Sequence, residues 1–281
     1  MMASRMWLAL LAPLAAAATF DPWPSKVISW WYGADNNWPL LVKEINQTDR
    51  LPLVTSVMTY CGYDVADDGS FVVPSPLSDA CQEFLPALGA LGVRREFVIN
   101  AGNCSIDSYR EFWNRSIAAT MLEESLKYNV SGWNIDMEPQ GDSCKGGATG
   151  DAADAFLFAS WLNETRAVLN PHGVRVTVAV ANWSPVLSQY KVLAAAADRI
   201  QNMGLYNMND MPDWEYVMNE FLSGAPREKL APGLGCWTDG KTDWWETQAG
   251  AEAKVNKSIA EGLSELALFR LLPSPTSTAD D

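Results

Sequence analysis

The segment Val130–Glu138 constrains this chain more than any other stretch, because it combines an apolar strand pattern with acids two positions apart. Side chains at every second residue of a strand lie on one face, so Asn134, Asp136 and Glu138 share a face. The opposite face is apolar and consists of Trp133, Ile135 and Met137. Two neighbouring carboxylates on a buried face are costly unless they are paired or share a proton, which makes this a candidate catalytic strand. An edge strand with a solvated acidic face is the alternative.

The rest of the chain alternates short apolar runs with amphipathic stretches, which predicts eight strands and seven helices. The predicted strands are Lys26–Tyr32, Leu53–Tyr60, Glu96–Ala101, Ser131–Glu138, Val174–Ala181, Ile200–Asn207, Lys229–Cys236 and Glu265–Arg270. The predicted helices are Trp38–Asn46, Ser78–Leu91, Ser108–Tyr128, Ala152–Leu169, Pro185–Asp198, Pro212–Ser223 and Thr247–Glu261. Strict alternation is typical of a parallel sheet, and eight units favour a closed (β/α)8 TIM barrel of the α/β class.

The domain organisation follows from the two ends of the sequence. Residues 1–18 have the pattern of a secretory signal peptide, with Arg5 before an apolar run and alanines at the cleavage site. We expect a single catalytic barrel over residues 19–272 and a flexible Pro/Ser/Thr tail over residues 273–281. No predicted helix follows the last strand, so the eighth helix is either missing or replaced by further chain.

Secretion is also indicated by seven Asn-x-Ser/Thr sequons, several of which we expect to be glycosylated. They lie at Asn46, Asn103, Asn114, Asn129, Asn163, Asn182 and Asn256. Asn129 and Asn182 lie at strand boundaries, where we expect poor access. The predicted location is therefore secreted or lysosomal/vacuolar, and no later segment is long and apolar enough to make the membrane a partner.

Five cysteines leave at least one thiol without an intramolecular partner. Cys104 and Cys144 follow neighbouring strands and are the first predicted disulfide, and Cys61 with Cys81 is the second. Cys236 is the expected unpaired thiol.

Several kinds of chemistry are excluded by what the sequence lacks. The single histidine, His172, is predicted in a turn at the far end of the barrel, so neither a Ser-His-Asp triad nor a histidine-based metal site is expected. No Walker loop or GxGxxG opens a helix, and no cofactor is predicted. The net charge of −14 argues against nucleic acid and anionic membranes as partners, and no protein partner is evident. Carboxylate chemistry remains, which suits glycosidic bond cleavage.

The active site of such a barrel is built at the carboxyl ends of its strands, where this sequence concentrates aromatic and polar side chains. Trp31, Tyr60, Trp183 and Trp237 lie at these ends and are candidates for stacking on sugar rings.

The segment Ser131–Glu138 resembles the strand-four motif DGxDxDxE of glycoside hydrolase family 18, the chitinases and their relatives, and is most similar in motif to the di-N-acetylchitobiase branch. Gly204–Asn207 is similar to the M-x-Y-D motif of that family on strand six, and Phe97–Gly102 lies where the family has S-x-G-G. The resemblance covers nearly all of the predicted mature chain.

The resemblance implies a substrate-assisted retaining mechanism on β-1,4-linked N-acetylglucosamine, in chitin oligosaccharides or a chitobiose core. Glu138 would be the general acid, and Asp136 would orient the 2-acetamido group of the substrate. Tyr206 would hydrogen-bond the acetamido oxygen, Asn134 would support Asp136, and Asn207 would contact the substrate. The partner implied is an N-acetylated oligosaccharide.

The sequence departs from the family pattern at four places. Ser131 and Asn134 replace two of the four acids of the motif, and Gly204 replaces the methionine. The last predicted strand lacks the tryptophan that floors the cleavage subsite, which Phe269 or Trp237 would have to replace.

Two other functions remain open. A chitinase-like lectin would bind N-acetylated sugars without cutting them, although such proteins typically lose the acid that this chain keeps as Glu138. A barrel hydrolase of another carbohydrate family would combine Glu138 with a carboxylate from another strand, such as Asp210 or Asp239.

Overall fold

The computed structural model describes residues 27–33, 38–47, 54–100, 105–139, 149–206, 208, 211–235 and 248–269. For residues 27–33, 44, 248 and 269 only the backbone is described. The predicted signal peptide and tail, and the segment that would hold an eighth helix, lie outside these ranges.

Within the described residues, eight parallel strands close into a barrel, as the alternation predicts. Seven pairings run in the order β1-β9-β8-β7-β6-β5-β4-β2, and β1 also pairs with β2, which closes the ring. The barrel strands are β1 (Val27–Gly33), β2 (Val54–Val65), β4 (Arg94–Asn100), β5 (Gly132–Asp136), β6 (Arg175–Val180), β7 (Arg199–Asn202), β8 (Leu230–Gly235) and β9 (Glu265–Phe269). The fold is therefore the predicted (β/α)8 barrel.

The helices surround the barrel and connect its strands. They are α1 (Trp38–Ile45), α2 (Asp79–Ala90), α3 (Ile106–Trp113), α4 (Ala118–Tyr128), α5 (Ala152–Leu169), α6 (Tyr190–Ala196), α7 (Met211–Gly224) and α8 (Gln248–Ala260). No helix in the described part of the chain has the length and apolar character that crossing a membrane requires. His172 lies in a short 3-10 turn between α5 and β6, away from the carboxyl ends of the strands, as predicted.

Several predicted elements have different bounds in the structure. The strand predicted over Ile200–Asn207 is wrong in its second half, because β7 ends at Asn202. The single helix predicted over Ser108–Tyr128 is wrong, because the helix breaks after Trp113 and restarts at Ala118. The Asn114 side chain donates a hydrogen bond to the carbonyl of Arg110 at 2.9 Å, a local contact that competes with helix continuation. The helix predicted over Pro185–Asp198 is confined to α6, since the residues before it form turns.

The second strand is longer than predicted. It continues past Tyr60 to Val65, with a register shift against β4 between Thr59 and Tyr63. The short antiparallel strand β3 (Phe71–Val72) pairs with this extension. The extension carries Asp64 to the level of Asn100 at the end of β4, so it adds a carboxylate to the rim of the barrel.

Strand β5 lies between β4 and β6 and is buried along its whole length, which excludes an edge strand with a solvated face. Its outward side chains pack under the helices. The Trp133 ring lies 5.1 Å from Phe97 and 4.8 Å from Tyr63, and its indole N–H donates to the Ser125 hydroxyl at 2.8 Å. The two-faced strand predicted from sequence is confirmed over Gly132–Asp136, because its apolar face is held by aromatic packing and Asn134 and Asp136 alternate with that face. The prediction that the strand continues to Glu138 is wrong, since β5 ends at Asp136.

Cys61 and Cys81 form a disulfide that ties β2 to α2, as the second predicted pairing required. The other predicted pairing, Cys104 with Cys144, and the predicted unpaired Cys236 lie outside the described residues.

We predict that replacing both cysteines by alanine, Cys61→Ala with Cys81→Ala, lowers the free energy of unfolding by about 3 kcal/mol, since the bond closes a loop with a sequence separation of 20. Urea unfolding of the oxidised proteins measures the difference. A reductant should lower the stability of the wild-type protein to that of the double variant. Equal stability of the two oxidised proteins would contradict the prediction.

Candidate active site

The carboxyl ends of the barrel strands bring the acids of the β5 segment together with groups from neighbouring strands. Backbone register places Asp64 of β2 opposite Asn100 of β4, and Asn100 opposite Asp136 of β5. Glu138 follows two residues after Asp136 and is partly exposed, whereas Asp136 is only 8% exposed. The structure therefore sets a buried carboxyl beneath a more accessible one at the rim.

Asp136 occupies an environment that disfavours its charge. Burial raises its pKa well above the usual range, and the nearby Glu138 carboxylate raises it further. The Oδ1 atom of Asp136 is buried and finds no hydrogen-bond partner among the described residues. A buried polar atom without a partner is unusual in a folded protein, and here it faces a site where a ligand could supply the missing hydrogen bond.

Tyr206 reaches the same site from the end of β7, although it does not lie on the predicted strand. β7 ends at Asn202 and a 3-10 turn, Met203–Leu205, carries the chain to Tyr206. Burial raises the pKa of Tyr206 well above its usual value, and Asp136 and then Glu138 raise it further. These effects favour the protonated phenol, which can donate a hydrogen bond.

Glycines make room for this tyrosine. A Cβ atom at Gly233 of β8 would lie 2.6 Å from Cδ1 of Tyr206, so the ring packs directly on the strand backbone. A Cβ atom at Gly204 would lie 2.4 Å from Oδ1 of Asn182, so a larger residue at position 204 would require this turn to shift.

A small cavity opens at this point of the barrel. Its polar lining consists of Asn134, Asp136, Gln201, Asn202 and Tyr206. Its apolar lining consists of Met58, Ala179, Met203, Ala267 and Leu268. The cavity can hold a group that is apolar on one side and offers both a hydrogen-bond donor and an acceptor on the other.

Below the cavity, Asn134 belongs to a buried hydrogen-bond network. Its Nδ2 donates to the hydroxyl of Thr177 at 3.0 Å and to Oε1 of Gln201 at 2.7 Å. The Thr177 hydroxyl donates to Oε2 of Glu96 at 3.0 Å, and Arg175 pairs with Oε1 of the same carboxylate. We call Glu96, Arg175, Thr177, Asn134 and Gln201 the Glu96 network.

Of the other site residues predicted from the sequence, only Tyr60 and Trp183 have described side chains. Tyr60 is half-buried on β2, and burial, followed by the charge of Asp64, raises its pKa. Trp183 follows β6 and is 41% exposed, and it is not among the residues that line the cavity. The side chain of Trp31, and Asn207, Trp237, Asp210 and Asp239 altogether, lie outside the described residues.

Sequence reasoning missed Tyr109 and Asp64. Tyr109 of α3 is fully buried, and burial raises the pKa of its phenol, with Glu138, Asp136 and Asp64 as the nearby negative charges. No sequence signal identifies Tyr109, because its position depends on how α3 packs on the barrel.

Sequence reasoning also missed the ion pair between Glu96 and Arg175. A signal for it was present, because charged residues inside an otherwise apolar parallel strand indicate a buried ion pair.

We predict that Asp136→Asn raises the free energy of unfolding at neutral pH. An unfolded aspartate ionises near pH 4, whereas the folded carboxyl resists ionisation, so the stability of the wild-type protein falls as the pH rises above about 4. Asparagine cannot ionise, so the advantage of the variant should vanish near pH 4 and grow toward pH 7. Denaturant unfolding of both proteins between these pH values measures the difference in the free energy of unfolding. The exposed carboxylate variant Asp213→Asn should show no such gain, and a gain for Asp136→Asn that is independent of pH would contradict the prediction.

No protein-family model matches the sequence, and no curated protein matches it significantly. Solved structures match it by fold. A chitinase from Chromobacterium violaceum ATCC 12472 superposes with a TM-score of 0.67 at 15% identity, over 88% of this chain and 94% of that one. The spore cortex-lytic enzyme SleL of Bacillus megaterium QM B1551 gives a TM-score of 0.67 at 13% identity, over 88% and 71%. The Ostrinia furnacalis Group IV chitinase in complex with allosamidin gives a TM-score of 0.64 at 15% identity, over 87% and 92%. At these identities the likeness concerns the fold.

Proposed function

We propose that this protein is a retaining glycoside hydrolase that cleaves β-1,4-linked N-acetylglucosamine by substrate-assisted catalysis. One observation carries the proposal: a buried Asp136 with an unpartnered Oδ1 atom lies beside Glu138 and lines a cavity together with Tyr206. The fold likeness to two chitinases and a cortex-lytic enzyme supports the same assignment.

The chemistry of the cavity lining suits an N-acetyl group. An acetamido group offers an N–H donor, a carbonyl acceptor and a methyl group. Oδ1 of Asp136 would accept the N–H and the Tyr206 hydroxyl would donate to the carbonyl oxygen. The methyl group would lie against the apolar side of the cavity, where Met58, Met203 and Ala267 supply the surface.

The reaction proceeds in two steps on this arrangement. In the first, the acetamido oxygen bonds to the anomeric carbon while the bond to the leaving oxygen breaks, and Glu138 gives its proton to that oxygen. Tyr206 and Asp136 stabilise the charge that develops on the acetamido group. In the second step water attacks the anomeric carbon from the same side as the departed sugar, the bond between that carbon and the acetamido oxygen breaks, and Glu138 takes a proton from the water. The configuration is therefore retained.

The substrate-binding surface would extend outward from this cavity. Tyr60 and Trp183 are the described aromatic candidates for stacking on further sugar rings. Trp31, Asn207 and Trp237 remain predictions from the sequence.

We predict that Glu138→Gln lowers kcat on a chromogenic N,N′-diacetylchitobioside by roughly 10²–10⁴-fold, because glutamine cannot transfer a proton. Initial rates and circular dichroism separate the loss of activity from a loss of fold. The exposed Glu123→Gln on α4 makes the same chemical change away from the site and should retain full activity.

A substrate panel tests the acetamido requirement. The matching cellobioside, which has hydroxyls in place of the acetamido groups, should not be cleaved, since it lacks the attacking oxygen. Equal cleavage of both substrates would identify a barrel hydrolase with a second protein carboxylate. Binding of chitin oligomers without any turnover by the wild-type protein would identify a lectin.

We also propose that the protein enters the secretory pathway and carries N-linked glycans. The six sequon asparagines in the described residues are all exposed: Asn46, Asn114, Asn129, Asn163, Asn182 and Asn256. The poor access expected for Asn129 and Asn182 is wrong, because Asn129 ends α4 on the surface and Asn182 lies in an exposed turn after β6. The Cys61–Cys81 disulfide is typical of an oxidising compartment and supports the same proposal.

We predict glycans on several of these asparagines when the full chain is expressed in a eukaryotic secretory host. Enzymatic glycan release in heavy-oxygen water converts each glycosylated asparagine to a labelled aspartate that peptide mass spectrometry detects. Asn219 is exposed but lies outside any sequon, so it should remain unlabelled and serves as the control. A secreted protein with no labelled site would contradict the proposal.

A further inference from the structure

A second cavity lies on the outside of the barrel, in the gap between α2 and α4. Helices α1 and α2 pack on each other, as do α4 and α5, but α2 and α4 make few contacts with each other. The gap has a volume of about 550 Å³, within the roughly 300–1,000 Å³ of pockets that bind small molecules. It shares no lining residue with the cavity at Asp136. We call it the α2–α4 cavity.

Asn129 lines the α2–α4 cavity and is the acceptor residue of a sequon that Val130 and Ser131 complete. We propose that an N-linked glycan on Asn129 places its first N-acetylglucosamine in the α2–α4 cavity, where the sugar stabilises the folded protein. The inference rests on the secretion and glycosylation proposed above. It adds a binding site for the sugar on the protein itself.

The backbone around Asn129 is fixed, which determines where an attached sugar begins. Asn129 ends α4 in the left-handed conformation, with φ 51°, and its N–H donates to the carbonyl of Ser125. Val130 donates to the same carbonyl at 3.0 Å and is buried. Asn129 itself is exposed, so a sugar on its Nδ2 atom starts at the rim of the cavity.

Attachment of the glycan is an ordinary group transfer in the secretory pathway. A bond forms between Nδ2 of Asn129 and C1 of the first sugar, while the bond from C1 to the diphosphate of the lipid-linked donor breaks. The nitrogen loses one hydrogen as a proton.

The α2 side of the cavity offers an apolar surface. Gln82, Pro86 and Ala90 follow at intervals of four residues, so they lie along one exposed face of the helix. The ring of Pro86 also removes the N–H that would donate to the carbonyl of Gln82. A Cβ atom at Gly89 would lie 2.5 Å from Nη1 of Arg95, so the glycine leaves space for the guanidinium against the helix. The apolar face and the methyl group of N-acetylglucosamine can pack on this surface.

The β4 and α4 side supplies hydrogen-bond donors. Arg95 donates from Nη1 to the carbonyl of Leu85 at 3.3 Å, while its buried Nε atom has no hydrogen-bond partner among the described residues. The Lys127 ammonium lies 4.6 Å from the centre of the Tyr128 ring and 3.2 Å from the Glu124 carboxylate. The carbonyl and hydroxyl oxygens of N-acetylglucosamine are acceptors, so they match these donors and can supply the partner that Nε lacks.

The charges and the tether favour the attached sugar over other occupants. The lining contains the cations of Arg95 and Lys127 and no carboxylate, which disfavours a cationic ligand. Asn129 alone among the lining residues begins a sequon. A sugar bonded to it is held beside the cavity at a high effective concentration, so individually weak contacts suffice to keep it bound.

The test compares the full chain with and without the sugar at Asn129. Wild-type protein and Ser131→Ala are secreted from a eukaryotic host that makes high-mannose glycans, and an endoglycosidase trims every glycan to its first N-acetylglucosamine. Ser131→Ala removes the sequon and leaves asparagine in its left-handed position. Hydroxyl-radical footprinting with mass spectrometry measures the oxidation of Tyr128 and Pro86. We expect both residues to lose much of their oxidation in the trimmed wild-type protein, because the sugar covers them.

Thermal unfolding of the same two proteins measures the stabilisation. We expect the trimmed wild-type protein to melt about 2–4 °C above Ser131→Ala, the shift that one net hydrogen bond produces in a chain of this size. The Ser131 hydroxyl also donates to the Arg95 carbonyl at 3.3 Å. Both proteins are therefore also made in a bacterial periplasm without N-glycosylation, and the difference measured there is subtracted.

Two controls accompany the comparison. Ser131→Thr keeps the sequon and should show the wild-type footprint and melting temperature. Tyr216 on α7 is 66% exposed and does not line the cavity, so its oxidation should be equal in all proteins.

Equal oxidation of Tyr128 and Pro86 in the two trimmed proteins overturns the inference. So does protection of Tyr128 in Ser131→Ala by inorganic phosphate alone, which would identify an anion site. An unglycosylated Asn129 beside other glycosylated sequons overturns the inference and leaves the proposed secretion intact. A secreted protein without any glycan ends both, while the hydrolase assays still decide the proposed activity.

Discussion

The ion pair between Glu96 and Arg175 is the interaction on which the interior of this barrel depends. Both side chains are almost completely buried, and removing one partner of such a pair typically costs about 3–5 kcal/mol. The pair ties β4 to β6 across β5, at the layer where Gly132 provides the space. The identity of residue 132 is therefore set by its two neighbours on adjacent strands rather than by its own strand.

The two ends of the β5 inner face differ in how their polar groups are satisfied. At the lower level, Asn134 has both of its N–H bonds occupied and Glu96 accepts from Arg175 and Thr177. At the upper level, Oδ1 of Asp136 has no partner among the described residues, and burial raises its pKa. Unsatisfied polar groups that lower stability are expected at functional sites, where a ligand supplies the missing contact.

The sequence predicted the two faces of β5 well because the information for them is local. Side chains in a strand alternate with a period of two residues, so Asn134 and Asp136 lie on one face wherever the strand is placed. The opposite, apolar face with Trp133 requires burial. The strict alternation of strands and helices likewise predicts the barrel. Tyr206 was found through a short motif, but its placement after a 3-10 turn depends on Gly204 and Gly233, whose role appears only when β8 and the Asn182 turn are packed against it.

The features that could not be predicted from the sequence depend, without exception, on contacts between distant parts of the chain. The extension of β2 that carries Asp64 to the rim needs a register shift against β4. Tyr109 reaches Asp136 only because α3 packs over the barrel mouth.

The sequence by itself determined the barrel and the two-faced strand, since these follow from periodicity and from the residue types present. Only the tertiary structure decided that Asp136 is buried beside Glu138 and that Asn134 donates hydrogen bonds to Thr177 and Gln201. Burial and hydrogen-bond direction are properties of the closed barrel, because its strands bring together residues that are more than 35 positions apart in the chain.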